Sequence, residues 1–169
     1  MKKNYTRFIV YAAVIAALYA VLTHLQNILL PGSASMAIQM RISEALCVLA
    51  FFTPAAIPGL SIGCLVFNLT FAGTLPLDFL VGTLATYLAA QGMWLTRNLT
   101  VKGYPLLGML LPALTNAILV GWELSVYIGG GFWLNAVYVA IGEAVVLLAL
   151  GTALYYGLKR RSLAEKLFS

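Results

Sequence analysis

Five ionisable side chains lie within or directly beside long apolar stretches of this chain. They are one base and four acids: Arg41, Glu44, Asp78, Glu123 and Glu143. Charge in such segments is costly and tends to mark function, because hydrocarbon solvates ions poorly. A carboxylate can accept two parallel hydrogen bonds from a planar N–H/NH₂ edge, such as that of guanine or guanidinium. The excess of acids therefore predicts a ligand that is cationic or rich in hydrogen-bond donors.

The composition indicates a membrane protein. Of the 169 residues, 62% are hydrophobic and 9% are charged, whereas a soluble domain is about half apolar and about a quarter charged. The net charge of +5 comes mostly from Lys and Arg at the ends of apolar segments, where basic residues set membrane topology. It does not indicate a nucleic-acid partner. Little of the chain is left for a soluble domain, so any nucleotide hydrolysis must come from a partner.

Hydropathy and turn signals divide the chain, as one transmembrane domain, into six predicted spans. The Pro31-Gly32-Ser33 run ends the first span. Pro54, Pro58 and Gly59 divide the next apolar region, which is too long for one crossing of ~30 Å of hydrocarbon, into two short spans. The predicted spans cover residues 7–30, 42–57, 60–75, 78–96, 104–127 and 132–158.

The basic residues predict that both termini lie in the cytoplasm, which requires an even number of crossings. With six spans, nine of the ten Lys and Arg residues face the cytoplasm. The exception is Arg41, which is placed outside near Glu44. We therefore predict an all-α membrane fold, a bundle of six transmembrane helices with N-in/C-in topology.

In this topology the polar side chains fall in the outer half of the bundle. Glu44 and Asp78 begin their spans near the outer surface, whereas Glu143 lies ~16 Å below the outer end of the last span. A water-filled channel would carry polar residues along its whole length, so a binding pocket that opens to the outside is predicted instead. The predicted substrate-binding residues are Arg41, Glu44, Asn68, Asp78, Asn116, Glu123, Trp133 and Glu143.

Aromatic side chains surround the last outer connection, where they could stack on a flat ring. They are Trp122, Tyr127, Phe132 and Trp133. The same residues could instead form an interfacial anchoring belt. Likewise, Arg41 and Glu44 could form a simple i,i+3 surface pair. The sequence leaves both alternatives open.

Cys47 and Cys64 are interpreted as small buried apolar side chains, because they lie in apolar runs without a CxxC spacing. His24, near the outer end of the first span, is interpreted as an interfacial side chain. Residues 129–131 are three glycines without the Lys and Ser/Thr of a phosphate loop, which predicts a flexible outer loop.

Ala12, Ala16 and Ala20 recur at every fourth residue of the first span, with Ala13 and Ala17 beside them. Such a flat stripe lets another helix approach closely. The spacing is compatible with packing inside the bundle and with the docking of a partner.

Several short motifs follow one another over nearly the whole chain. They are Gln39-x-Arg41-x-Ser43-Glu44-Ala45-Leu46, Pro54, Ile57-Pro58-Gly59-Leu60-Ser61-Ile62-Gly63-Cys64 with Asn68, Asp78 followed by Gly82-Thr83-Leu84-Ala85-Thr86, Asn116 with Gly121-x-Glu123, and Phe132-Trp133 with Gly142-Glu143. In these motifs and in their order the chain resembles the QueT family, which comprises substrate-binding S-components of energy-coupling factor (ECF) transporters associated with queuosine precursors.

The resemblance implies a protein of the bacterial plasma membrane that captures substrate outside and docks on a transmembrane T-component driven by two ABC-type ATPases. The implied substrates are 7-aminomethyl- and 7-cyano-7-deazaguanine. ATP would be used by the partner ATPases, and the chain itself is expected to have no enzymatic activity, cofactor or metal. The residues implied to meet the T-component are Ala12, Ala13, Ala16, Ala17 and Ala20.

The sequence is compatible with three alternatives. The same fold could bind another cationic or donor-rich nutrient, such as a thiamine-like vitamin or a nucleobase-like compound. The chain could be an autonomous small channel or carrier, although its polar residues are one-sided. It could also be an intramembrane enzyme that uses Glu143 and His24, but no nucleophile–base spacing or metal motif supports this.

Overall fold

The computed structural model describes residues 2–31, 33, 40–71, 73–160 and 163–168, with the side chains of all of these except residues 2–4 and 165. These residues are almost entirely helical, and their only β-structure is an isolated bridge between Val101 and Tyr104. The all-α prediction is therefore confirmed for the described part of the chain. Most of the polar loop predicted at 33–40 lies outside the described residues.

Seven α-helices and two irregular helical segments follow one another in the described part of the chain. The α-helices are α1 (Lys2–Leu29), α2 (Ala56–Thr70), α3 (Asp78–Thr96), α4 (Leu106–Tyr127), α5 (Phe132–Val146), α6 (Thr152–Arg160) and α7 (Leu163–Phe168). A 3-10 helix (Ile42–Phe51) lies between α1 and α2. A π-helical segment (Leu147–Gly151) joins α5 to α6.

Among the described residues, three stretches combine the length and the apolar composition of a membrane span: Tyr5–Leu29, Leu106–Tyr127 and Phe132–Arg160. The last of these runs through α5, the π segment and α6. With 15 residues, α2 is shorter and reaches about 22 Å at ~1.5 Å per residue. Helix α3 coincides with the predicted span 78–96.

The structure differs from the prediction at residues 42–57, which do not form one α-helix. The 3-10 helix has ten residues, which at ~2.0 Å per residue reach about 20 Å, less than the ~30 Å of a bilayer core. Pro54 contributes to the break before α2, because the residue that precedes a proline is biased away from the α conformation.

The 3-10 helix is enclosed by the rest of the bundle. Eight of its ten residues are buried, and it packs against α1 to α6 and the π segment. A helix that is buried on every side must lie in the interior of its fold. Glu44 is therefore enclosed by the other helices and is not a surface residue of the bundle. Its position near the outer surface of the membrane stays a prediction.

Close helix contacts depend on glycines. A Cβ atom on Gly63 of α2 would lie 2.7 Å from the backbone oxygen of Ala16 in α1, and one on Gly59 would lie 2.8 Å from that of Ala12. Gly121 of α4 lies similarly close to Ala136 of α5. Small residues at such positions allow two backbones to approach closely.

Two hydrophobic clusters fill the interior, and the polar side chains lie where one cluster gives way to the other. Along α5, Glu143 lies between Val139 of the smaller cluster and Leu147 of the larger one. Along α4, Asn116 lies between Ala113 of the larger cluster and Val120 of the smaller one. The helices therefore place these two polar residues at the same level of the bundle.

Candidate functional site

The structure buries all five ionisable residues of the apolar segments. Arg41, Glu44, Asp78, Glu123 and Glu143 each expose 3% of their surface or less. The alternative of an Arg41–Glu44 surface pair is therefore wrong. With two buried amides they form what we call the polar cluster. Its members are Arg41, Glu44, Asn68, Asp78, Asn116, Glu123 and Glu143.

The fold supplies hydrogen bonds to both carboxylate oxygens of Glu44. The hydroxyl of Tyr19 in α1 donates to Oε1. The thiol of Cys47, one turn further along the 3-10 helix, donates to Oε2 over 3.1 Å. The neighbouring Ser43 accepts a hydrogen bond from Thr23 of α1 over 2.7 Å. Helix α1 thus fixes the position of the Glu44 side chain.

Arg41 is held beside the first turn of α3. Its Nη2 lies 3.9 Å from Oδ2 of Asp78, and both side chains are buried. The guanidinium also lies over the ring of Phe67, with Cζ 5.6 Å from the ring centroid, and Nη1 lies 3.8 Å from the sulfur of Cys64. A carboxylate in the first turn of a helix, such as Asp78, is further stabilised by the helix dipole. The pair therefore compensates two buried charges.

Asn68 of α2 ties this pair to the neighbouring helix. Its Nδ2 donates to the backbone oxygen of Asp78 over 2.7 Å and lies 3.5 Å from the sulfur of Cys64. Its Oδ1, in contrast, is buried without a hydrogen-bond donor among the described residues. The amide thus leaves an acceptor atom available beside Asp78.

Glu143 of α5 lies on the side of the cluster nearer to Glu44. Its carboxylate interacts with the amide of Asn116 on α4 and with the charges of Glu44 and Arg41. One of its oxygens, Oε2, is buried and has no hydrogen-bond donor in the described part of the chain.

Glu123 of α4 lies nearer to the start of α3. Its carboxyl group lies near the carboxyl of Asp78, the backbone N–H of Leu77 and the charge of Arg41, but none of these completes a hydrogen bond of regular geometry to it. Both of its carboxylate oxygens are buried, and neither receives a hydrogen bond from a described residue. Among the acids of the cluster, Glu123 receives the least from the fold.

The arrangement therefore offers hydrogen-bond acceptors without protein donors. They are four buried oxygens: Asn68 Oδ1, Glu123 Oε1, Glu123 Oε2 and Glu143 Oε2. Buried polar atoms are normally hydrogen-bonded, so a group of exceptions around one site requires a reason. Four acids surround the single base Arg41, whose charge Asp78 already compensates. Such a site can bind a molecule that brings N–H donors, positive charge or both.

Comparison with known proteins identifies the family. A family model described as QueT transporter matches residues 9–160. This chain belongs to the QueT transporter family. A curated relative, "Queuosine precursor transporter QueT" of Lactococcus lactis subsp. cremoris (strain MG1363), is 39% identical over 89 residues, which are 51% of this chain and 48% of the relative. The chain thus matches about half the length of this relative. No solved structure matches the chain.

Membership of the QueT family, together with the apolar helices, makes this a membrane protein of a transporter family and not an enzyme. The enzyme alternative built on Glu143 and His24 is thereby set aside. Nε2 of His24 lies 2.9 Å from Oγ1 of Thr70, and its ring packs edge-on against Phe67. His24 is thus satisfied locally, as the sequence predicted.

Seven of the eight predicted binding residues of this QueT-family protein make up the polar cluster, and Trp133 does not join them. Trp133 is 79% exposed, and its ring packs against that of Phe132 at the start of α5 with 5.0 Å between centroids. Its stacking on a ligand stays a prediction from the sequence.

Sequence reasoning missed three residues of the site: Tyr19, Cys47 and Cys64. Each lies in an apolar run, where the sequence indicates packing and gives no sign of a polar contact. Both cysteines are buried, as predicted, but their sulfurs also contact Glu44 and Arg41. For Tyr19 the signal was its register, since Tyr19 and Thr23 are four residues apart on one helix face and both meet the 3-10 helix.

The structure divides the alanine stripe of α1 in two. Ala12, Ala16 and Ala20 are buried, and the first two pack against glycines of α2. Ala13 and Ala17 are exposed on the other side of the helix. Packing inside the bundle thus accounts for the buried part of the stripe. A partner-facing role stays a prediction, and Ala13 and Ala17 are the residues that present their side chains for it.

Proposed function

We propose that this chain is the substrate-binding S-component of an ECF-type importer in a bacterial plasma membrane. It captures a 7-deazaguanine queuosine precursor, such as 7-aminomethyl- or 7-cyano-7-deazaguanine, in the polar cluster. The printed name of the relative, a queuosine precursor transporter, supports the substrate class. The resemblance of the sequence motifs to S-components supports the mechanism.

The observation that carries the substrate proposal is the set of four acceptor oxygens that the fold leaves without donors. A 7-deazaguanine has a planar edge with N–H and NH₂ donors, and its 7-aminomethyl derivative adds a cationic amine. Charge-assisted hydrogen bonds are about twice as strong as neutral ones. The ligand therefore supplies what the cluster lacks.

We propose a role for each acid from its position within the cluster. Glu143, held by Asn116, accepts hydrogen bonds from the donor edge of the ring. Glu123, whose two oxygens both lack donors, pairs with the amine, with Asp78 and Asn68 Oδ1 beside it. Glu44 positions the 3-10 helix through Tyr19 and Cys47 and does not contact the ligand.

The transport cycle requires partners. The chain carries no nucleotide-hydrolysing domain in the residues described, and we propose that a T-component and two ABC-type ATPases drive release of the substrate. The chain itself needs no cofactor. In this proposal a six-span N-in/C-in bundle is formed by the three long stretches, α2, α3 and the 3-10 helix together with the residues that flank it, since the 3-10 helix alone is shorter than the bilayer core. The basic ends of the bundle face the cytoplasm.

Calorimetric titration of the detergent-purified chain tests the substrate. We expect one-to-one binding of 7-aminomethyl-7-deazaguanine, weaker binding of guanine because it lacks the amine, and no heat with thiamine. Binding of thiamine in its place would retain the S-component and overturn the deazaguanine. If uptake into liposomes occurs without ATPase partners, the protein is an autonomous carrier and the ECF mechanism is wrong.

A further inference from the structure

A concave surface lies between α6 and α7, near the C-terminal end of the described residues. It is a groove of about 450 Å³ lined by Ala153, Leu154, Gly157, Leu158, Arg160 and Leu163. Five of these six residues are apolar, and the sixth is a cation. None of them belongs to the polar cluster, so the groove has no part in the substrate site.

The walls of the groove are fixed by packing. Ala164 of α7 is buried in the larger hydrophobic cluster. At the end of α7, the ring of Phe168 packs edge-on against Tyr11 of α1, with 5.4 Å between ring centroids. Helix α7 is thus docked on the bundle, and the space beside it is a feature of the fold.

Gly157 opens the groove. A Cβ atom built on Gly157 would meet no other atom within 4 Å. This glycine therefore leaves room that an apolar chain can occupy, unlike Gly59 and Gly63, which make room for a neighbouring helix.

The charge around the groove is positive. The last 18 residues of the chain contain four basic residues and one acidic residue. Arg160 lines the groove and is exposed, and among the described residues its guanidinium forms no ion pair or hydrogen bond. The adjacent Lys159 donates to the backbone oxygen of Gly103 over 3.1 Å. Arg160 is thus a cation at the rim of an apolar groove, and no described side chain neutralises it.

We propose that this groove binds an anionic phospholipid, with an acyl chain along Gly157 and the phosphate at Arg160. The groove lies at the end of a stretch long and apolar enough to span a membrane, Phe132–Arg160, so a lipid headgroup is at the right level to reach it. Basic pockets between helices at the cytoplasmic side of a membrane bind anionic headgroups in this way. A zwitterionic lipid would place its own cation beside Arg160.

Native mass spectrometry of the full chain, purified in mild detergent and titrated with phosphatidylglycerol or phosphatidylcholine, tests the proposal. We expect one phosphatidylglycerol to be retained in preference to phosphatidylcholine. Gly157→Leu should abolish this retention by filling the groove. Arg160→Gln should weaken it about fivefold, because each basic residue near the surface contributes ~1 kcal/mol to the binding of anionic lipid.

Ala17→Leu is the matched control, because it adds similar bulk to an exposed helix face outside the groove, and it should bind phosphatidylglycerol like the parent. Binding of the deazaguanine reports whether each variant is folded. Should Gly157→Leu fail to fold, Arg160→Gln decides. Equal retention of both lipids, or unchanged retention in Arg160→Gln, overturns the proposal. If Gly157→Leu keeps the lipid but no longer assembles with the T-component, the groove is a protein-docking site and the proposal is also overturned.

Discussion

The carboxylates of Glu44 and Glu123 are both buried in one cluster, but the fold treats them differently. Glu44 receives hydrogen bonds from Tyr19 and Cys47, whereas neither oxygen of Glu123 receives one from a described residue. Leaving a buried acceptor without a donor costs about 1–3 kcal/mol. We infer that Glu44, whose oxygens are hydrogen-bonded by the fold, has a structural role, and that Glu123 receives its hydrogen bonds from a ligand.

The same division appears on the surface of α1. Ala16 is buried against Gly63 of α2, while Ala17, one residue later, is exposed. Ala16 packs against another helix of the same chain, whereas the side chain of Ala17 is accessible to a partner. Residue type is identical in both comparisons, so only the surroundings distinguish the roles.

The largest effect is expected from Arg41→Gln, because Arg41 is the only base among the four acids of the polar cluster. Its removal leaves Asp78 as a buried carboxylate without its cation. Breaking a buried ion pair by removing one partner costs about 3–5 kcal/mol. We expect a loss of this size in the free energy of unfolding, measured by denaturant titration in detergent micelles, and loss of ligand binding.

Arg97→Gln is the control for that substitution. Arg97 stacks on the ring of Trp94, with Cζ 3.8 Å from the centroid, and has no carboxylate partner among the described residues. Its loss should cost about 1 kcal/mol or less. Equal effects of the two substitutions would show that the Arg41–Asp78 pair contributes little.

The next largest effect is expected on ligand binding, from substitution of the two acids whose oxygens lack donors. Glu143→Gln and Glu123→Gln should each weaken ligand binding by about 1–3 kcal/mol, which is about fivefold to 150-fold, because a charge-assisted hydrogen bond is lost. Neither should lower the free energy of unfolding, since no described donor is left without its acceptor at the unpaired oxygens. Calorimetry and denaturant titration on the same preparations measure both quantities.

Glu44→Gln should show the opposite pattern. Its amide cannot accept from both Tyr19 and Cys47, so the free energy of unfolding should fall by about 1–3 kcal/mol while the affinity of the folded protein stays within about threefold, a change under 1 kcal/mol. If Glu44→Gln instead abolishes binding in a stable protein, Glu44 contacts the ligand and the division of roles is wrong.

Much of the site was predictable because hydrocarbon makes charge rare. In a chain with five acidic residues in all, each acid inside an apolar stretch stands out, and four of them occupy the polar cluster. The helical class follows from the length and hydropathy of the apolar segments. Local geometry was predicted less well. The sequence predicted one span at 42–57, where the chain forms an enclosed 3-10 helix followed by the start of α2.

The residues that donate hydrogen bonds to Glu44 were not predictable from residue type. Tyr19 and Cys47 are common core residues, and only the approach of α1 to the 3-10 helix makes them donors to Glu44. The exposure of Trp133 has a similar cause. An aromatic residue at the start of α5 can face the cluster or turn away from it. The helix register decides between the two, and the Phe132-Trp133 motif alone does not fix that register.

The last prediction compares two neighbouring alanines of α1, of which only the buried one should affect stability. Ala16→Leu should destabilise the fold by about 1–3 kcal/mol through overpacking, because Ala16 already lies in contact with Gly63. Ala17→Leu changes an exposed side chain and should stay within about 0.5 kcal/mol of the parent. In the proposed complex it should nevertheless prevent co-purification with the T-component and ATPases, and ligand binding should be unaffected. Full assembly of Ala17→Leu would mean that the exposed face of α1 meets lipid and that the partner docks on another surface.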